Sequence, residues 1–291
     1  MHFVDAKGIL SAKNGMNIYR GCTHGCIYCD SRSDCYQMNH DFEDIEVKQN
    51  CVVLLEKALQ SKRKKCMIGT GSMSDPYMHC EEKLELMKQC LEVIERYGFG
   101  VAVQTKSDRI LRDLSLLRKI NQKAKAVVQT TFTTYDEELC KILEPNVCTT
   151  KKRFEMLMAM KEEGIPTVVW MDPILPFIND NKENLEGLLD YCIQAKVKGI
   201  ICFGIGMTLR NGNREYFYRK LDEHFPGLKE RYQRTYGYAY ELGSPNGRAL
   251  YRYLQDTCKE HNIMCTPEEV FAYMNEFPQD KGYEQLSLFD I

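Results

Sequence analysis

Apolar residues along this chain fall into short continuous runs, and each run is followed by a stretch where they recur at helical spacing. After an extended lead-in over residues 1–14, Met16 to Tyr19 reads as a first strand. From Cys51 the pattern turns helical, with Cys51, Leu54, Leu55 and Ala58 on one face, and the basic run Ser61 to Lys65 ends that helix near its negative pole. Cys66 to Thr70 is a short buried strand before a stripe of Leu84, Met87, Leu91 and Ile94 that Gly98 stops. Val101 to Gln104 comes next, and Ser107 is placed to cap a helix carrying Ile110, Leu111, Leu114 and Leu117. Ala126 to Val128 precedes a helix with Phe154, Leu157 and Met158. Thr167 to Met171 precedes one with Leu185, Leu188, Leu189 and Cys192. Ile200 to Phe203 ends in Gly204, ahead of a helix with Phe217 and Leu221.

Strands that are apolar without alternation are buried on both faces, so the six strand-then-helix units predict an α/β fold with a parallel sheet covered by helices. The count suits a partial (β/α)6 barrel of the TIM type as well as a doubly wound sheet. Residues 226–275 read as a mostly helical C-terminal extension packed on a unit spanning 1–225. Residues 276–291 lose the apolar period and read as a polar, flexible tail.

Composition narrows the class. The chain has 291 residues, enough for one large core, and its 44% hydrophobic and 27% charged content is ordinary for a globular protein. No apolar run approaches bilayer length and the start is no signal peptide, so the expectation is a cytoplasmic protein with no membrane partner. A net charge of −2 argues against a generally basic nucleic-acid binder while leaving local patches open. The 14 cysteines are scattered mostly singly, which reads as reduced thiols.

Three cysteines depart from that scatter. Gly21-Cys22-Thr23-His24-Gly25-Cys26-Ile27-Tyr28-Cys29 has the spacing C-x3-C-x2-C, from which three sulfurs can point inward from one tight loop. Thiolates suit the soft irons of a polynuclear cluster, and three of them on a four-iron cluster leave one iron open for a ligand. Zinc is the competing reading, with Cys35, His24 or His40 as a fourth ligand, and Cys35 could also close a structural four-cysteine cluster.

This loop, with an aromatic directly before its third cysteine, resembles that of the radical SAM superfamily, and the run from Asn17 to Cys29 resembles the spore photoproduct lyase-related branch. The likeness extends over residues 7–205. It implies a 4Fe-4S cluster on Cys22, Cys26 and Cys29, with S-adenosyl-L-methionine on the open iron and Tyr28 beside the chemistry. An electron from a donor such as flavodoxin or ferredoxin would cleave the cofactor to a 5′-deoxyadenosyl radical that takes hydrogen from a substrate. The resemblance also carries Ser74-Asp75-Pro76-Tyr77, Thr105-Lys106, Thr131, Glu144-Pro145, Arg153 and Asp172-Pro173. It implies cofactor contacts from Ser74, Asp75, Lys106 and Thr131, and for Arg153 either a cofactor contact or a brace for Glu144. One position departs: where photoproduct lyases have a hydrogen-donating cysteine, this chain has Ser72, and Cys80 is the nearby thiol. Gly204-Ile205-Gly206 is too short for a dinucleotide fingerprint.

Two further features bear on partners. Arginines and tyrosines concentrate between Leu209 and Tyr253, which suits either a nucleic-acid surface or a tyrosine-rich packed extension. Near the end, Gln285-Leu286-Ser287-Leu288-Phe289 resembles the pentapeptide that binds the bacterial β sliding clamp, with Leu288 and Phe289 as apolar anchors. Together these imply DNA or a nucleotide as substrate, in repair or modification. A peptide or small-molecule substrate, and a clamp-binding adaptor with a structural metal site, are the alternatives.

Overall fold

The computed structural model describes residues 1–278, so the Gln285–Phe289 segment lies outside the described residues. Its strands are β1 (His2–Val4), β2 (Gly15–Met16), β3 (Tyr19–Arg20), β4 (Glu46–Lys48), β5 (Met67–Thr70), β6 (Gly100–Gln104), β7 (Ala126–Thr131), β8 (Thr167–Trp170), β9 (Gly199–Ile201), β10 (Gly206–Thr208) and β11 (Glu241–Gly243). The helices are α1 (Cys51–Ser61), α2 (Glu81–Leu84), α3 (Leu86–Arg96), α4 (Leu114–Lys123), α5 (Glu137–Leu143), α6 (Thr150–Glu162), α7 (Lys182–Ala195), α8 (Asn213–His224), α9 (Leu228–Tyr236), α10 (Gly247–Glu260) and α11 (Pro267–Asn275).

Six strands form one parallel sheet in the order β2-β5-β6-β7-β8-β9, which is the partial barrel that the strand-then-helix alternation predicts. The two faces bury different partners. Ile68, Val101, Val103, Val128, Val169 and Ile200 pack outward against the helices. Met67, Ala102, Val127, Val168 and Ile201 form an inner cluster that Val270 and Met274 of α11 complete. The helix is pressed close: a Cβ on Gly199 would lie 2.7 Å from a Val270 methyl. Each of these buried aliphatics contributes about 1.5–3 kcal/mol by leaving water.

Several local expectations change. The strand expected over Met16–Tyr19 divides, because the chain leaves the barrel at Asn17 and Lys48 N donates to Ile18 O at 3.1 Å. β3 then joins β4 and β1 in a separate small sheet, so the lead-in is also partly strand. The helical stripe from Leu84 to Ile94 breaks at Glu85, which has φ 48°, and the buried Glu81 carboxylate accepts from Met87 N at 3.0 Å to start α3. Ser107 does cap, accepting from Arg109 N, but the first turns it starts are 3-10 and α4 begins at Leu114. Helix α5 and the antiparallel pair of β10 with β11 were not foreseen. That pair spans residue 225 and ties the C-terminal extension to the barrel.

Candidate active site

The cysteine loop follows the first barrel strand and β3, and its backbone is fastened from two sides. Cys22 N donates to Phe42 O at 3.1 Å, Ile27 N to Leu143 O at 2.9 Å, and Asn146 N to His24 O at 3.1 Å. Gly21 has φ +88°, and a Cβ there would lie 2.5 Å from Phe42 O, so only glycine makes this close approach without strain. Cys26 is buried while Cys22 and Cys29 are half-buried, and all three are free thiols. Burial pushes the Cys26 thiol up to about 12 and raises Cys22 too, with Asp75 adding to the latter. A metal cation would therefore have to displace protons as it binds.

As they stand, the three sulfurs are not gathered around a single zinc ion. Among the described residues, the one trio of candidate ligands whose atoms lie within 4.8 Å of one another is His2, His40 and Glu46, not the cysteines. Ligands about 2.3 Å from a single tetrahedral ion would crowd closer than that. Nor does a fourth ligand complete a set. Cys35 is exposed with its Sγ 3.2 Å from Arg210 Nη1, and His24 Nδ1 lies 3.5 Å from Asp75 Oδ2. Three wider-set soft thiolates on a loop with positive-φ glycines suit a polynuclear iron cluster.

Beside the loop lies a cavity of about 660 Å³, lined by Tyr28, Cys29, Ser72, Lys106, Asp172 and Phe203, among others. Ser72 follows β5, Lys106 follows β6, Asp172 follows β8 and Phe203 follows β9, so the cavity sits at the carboxyl ends of the strands, where such barrels carry their chemistry. β10 and β11 supply its far wall through Gly206, Thr208, Glu241 and Gly243. The Gly204–Gly206 stretch thus forms part of the cavity wall. Gly71 turns the Ser72 loop over β6: with φ +99°, a Cβ there would meet Gln104 O at 1.9 Å. Burial lifts the Asp172 carboxyl to about 6.

Behind the cavity is a buried charged network. Glu144 and Arg153 are both enclosed and paired, and Tyr28 Oη donates to Glu144 while also lying 3.1 Å from Thr133 Oγ1. Lys106 Nζ lies 4.0 Å from Glu144 Oε1 and 5.4 Å from the centre of the Tyr28 ring. Burial opposes the Glu144 charge, but Arg153 and Lys106 outweigh it and hold the carboxyl below the usual range. Arg153 also donates to Thr131 O at 2.8 Å and to Cys148 O at 2.7 Å.

The expected site residues therefore divide. Tyr28, Cys29 and Lys106 line the cavity; Ser74, Asp75, Thr131 and Arg153 do not. Asp75 accepts from Tyr77 N, Thr105 Oγ1 and Lys106 N at 2.8, 2.6 and 2.8 Å, stitching two strand-end loops together. Of the two readings for Arg153, these contacts describe the brace for Glu144. Ser74 is buried with no hydrogen-bond partner at its Oγ. Cys80 packs on the main core and does not line the cavity, where Cys29 is the one cysteine.

In the arginine- and tyrosine-rich region most tyrosines are packed, whereas Arg219, Arg231, Arg234, Arg248 and Arg252 are exposed. Tyr232 is fully buried and donates to Pro176 O at 2.5 Å, and Arg214 donates to Leu209 O and Ala239 O, each at 2.7 Å. Among the tyrosines the exposed ones are Tyr238, at 94%, and Tyr240, at 45% on the cavity wall, where Arg210 Nη2 donates to its Oη at 2.7 Å. Asp30, Tyr36 and Phe203 also line this rim without having been foreseen. For Asp30 the signal was its place directly after Cys29.

Fold and loop agree with the family comparison: residues 16–192 match the model of the radical SAM superfamily, to which the chain belongs. That superfamily uses a 4Fe-4S cluster and S-adenosyl-L-methionine. The chain is 28% identical over 227 residues to an uncharacterized protein of Mycobacterium tuberculosis, covering 76% of this chain and 66% of that one. It is 30% identical over 174 residues to an uncharacterized protein of Methanocaldococcus jannaschii, covering 59% and 64%. It thus spans slightly less than two thirds of the length of these relatives. Among solved structures, a mutant spore photoproduct lyase matches with TM-score 0.61 at 12% identity, over 85% of this chain and 74% of that one. Spore photoproduct lyase complexed with dinucleoside spore photoproduct matches at 0.58 and 13% identity, over 84% and 71%. At such identity the likeness speaks for the fold. No helix among the described residues is long and apolar enough to cross a membrane.

Proposed function

We propose that this radical SAM enzyme acts on DNA or a nucleotide, in repair or modification. The observation that carries the reading is the shared cavity, whose lining joins Cys29 and Lys106 to two exposed aromatics, Phe203 and Tyr240, 61% and 45% exposed. Exposed aromatic faces stack on bases, and Arg210 beside Tyr240 offers a cation at the rim. Spore photoproduct lyase, of the same fold, has been captured with a dinucleoside.

In this reading Cys22, Cys26 and Cys29 hold the cluster. Cluster and cofactor, when bound, supply a 5′-deoxyadenosyl radical that abstracts hydrogen. Lys106 presents its ammonium to the cofactor carboxylate, held in place by Glu144 and by the bond from its own amide to Asp75. Tyr28 orients the third cysteine by bonding Glu144, and Asp75, Thr131 and Arg153 position the loops. An electron donor such as flavodoxin or ferredoxin and, through Gln285 to Phe289, a bacterial β sliding clamp are the partners this function would use.

The test is anaerobic reconstitution followed by iron, sulfide and 5′-deoxyadenosine measurement. About four irons per chain are expected, with reductive cofactor cleavage, and Cys26→Ala should abolish both. Oligonucleotides should stimulate cleavage, and Phe203→Ala with Tyr240→Ala should remove the stimulation. Stimulation by peptides and not by nucleotides would overturn the substrate assignment.

A further inference from the structure

A second group of ligands stands apart from the cysteine loop, on the small sheet of β1, β3 and β4. β1 runs parallel to β4 with His2 directly opposite Glu46, and the intervening loop brings His40 over both. The ligand atoms of His2, His40 and Glu46 all lie within 4.8 Å of one another. His40 Nε2 is 4.0 Å from Glu46 Oε2, and the two imidazoles meet edge to face with centroids 5.0 Å apart.

Each imidazole already has its other nitrogen engaged by an oxygen. His2 Nδ1 lies 2.9 Å from Asp44 Oδ2, and His40 Nδ1 lies 3.0 Å from Asp41 O. A carboxylate and a backbone carbonyl can only accept, so Nδ1 is the donor in both rings, and in the neutral tautomer this leaves Nε2 as the lone-pair atom free to bind a metal. This is the arrangement by which metal-binding histidines are oriented and made more basic. His40 Nε2 is buried and has no hydrogen-bond partner. Its nearest charged neighbour, the Glu46 carboxylate, is also a lone-pair donor. In the neutral tautomer a metal cation between them satisfies both groups, and a buried acceptor left unpaired costs about 1–3 kcal/mol.

We propose that His2, His40 and Glu46 bind a divalent transition-metal ion, with zinc the ion that two imidazoles and one carboxylate suit, leaving one position for water. The ligands need to close by about 1 Å from their present spacing to reach zinc bond lengths of about 2.0–2.2 Å. The ion would pin the segment carrying His40 and Glu46 to β1. That segment includes Phe42, whose carbonyl receives the Cys22 amide, so the site acts as a tether behind the cysteine loop.

The test uses the chain from Met1 to Ile291 with no histidine tag, carrying Cys22→Ala, Cys26→Ala and Cys29→Ala so that these thiolates cannot take zinc. Equilibrated with zinc and desalted, it should retain about one ion per chain, and zinc should raise its melting temperature. Adding His2→Ala and His40→Ala should weaken zinc binding at least tenfold and abolish the thermal shift. In the unsubstituted chain, cobalt(II) should give the visible bands of a four-coordinate nitrogen and oxygen site, distinct from thiolate-to-cobalt charge transfer and lost with the two histidines. Equal zinc retention with and without the histidines overturns the proposal. So does no retention by the chain that keeps them, or a cobalt spectrum of thiolate character alone.

Discussion

Arg153→Met tests how the buried network supports the cysteine loop. Arg153 is fully enclosed, pairs with Glu144 and donates to the carbonyls of Thr131 and Cys148. Methionine fills much of the volume but leaves Glu144 enclosed, with Tyr28, Cys140 Sγ at 3.5 Å and Lys106 Nζ at 4.0 Å as its remaining partners. Removing one member of a buried pair costs about 3–5 kcal/mol. At a urea dependence of about 3 kcal/mol/M this lowers the midpoint of the cluster-free protein by more than about 1 M. Adding Glu144→Gln to Arg153→Met should recover about 2 kcal/mol, because the stranded charge is gone. The solvent-facing pair of Arg118 and Glu163, 3.1 Å apart, is the control, and Arg118→Met should cost less than about 1 kcal/mol. Strict additivity of the two buried changes, or a loss for Arg153→Met no larger than the control's, would refute the reasoning.

Ser72 lines the cavity where a hydrogen-donating thiol would be needed, so DNA containing the spore photoproduct should be repaired poorly or with misdirected products, and Ser72→Cys should improve the yield of intact thymines by chromatography. Burial raises the Asp172 carboxyl from 3.8 to about 6, so the folded chain keeps a proton there that the unfolded chain has lost. Stability from this group is therefore lost as pH rises from about 4 through 6, and Asp172→Asn should gain about 1–2 kcal/mol at pH 8 but little at pH 4 in urea titrations, the half-buried side chain being partly screened. A peptide from Tyr283 to Ile291 should bind a bacterial β clamp with affinity on the order of micromolar by calorimetry, and Leu288→Ala with Phe289→Ala should remove the binding. In the whole protein the same pair of changes should leave cofactor cleavage intact.

Much of the barrel was legible because parallel strands are buried on both faces and so read as continuous apolar runs; all six residues of Ala126–Thr131 are buried. The cysteine loop was legible because ligand spacing is a local property. What escaped depends on contacts between distant segments. The break at Glu85 follows from a buried Glu81 carboxylate that also receives Arg112 at 2.9 Å, which no periodicity reports. Tyr232 and Tyr238 stand in one tyrosine-rich stretch, yet one is fully buried and the other 94% exposed. His2, His40 and Glu46 meet only because β1 pairs with β4. Asp75 and Arg153, expected at the cofactor, lie behind the cavity, where Asp75 bonds the loops after β5 and β6 and Arg153 bonds Thr131 O.

The helix that closes the inner cluster comes from the far end of the chain, and this fixes an order of assembly. Synthesis delivers Met67, Ala102, Val127, Val168 and Ile201 long before Val270 and Met274 exist to cover them. Until then the barrel interior faces water on a sheet whose contacts already span distant parts of the sequence, a combination that slows folding and invites self-association. A fragment ending before Pro267 would keep every strand of the barrel and the whole cysteine loop, yet its interior would lack its stopper. The cysteine loop comes before most of the barrel strands, but the barrel interior is covered only when α11 follows them.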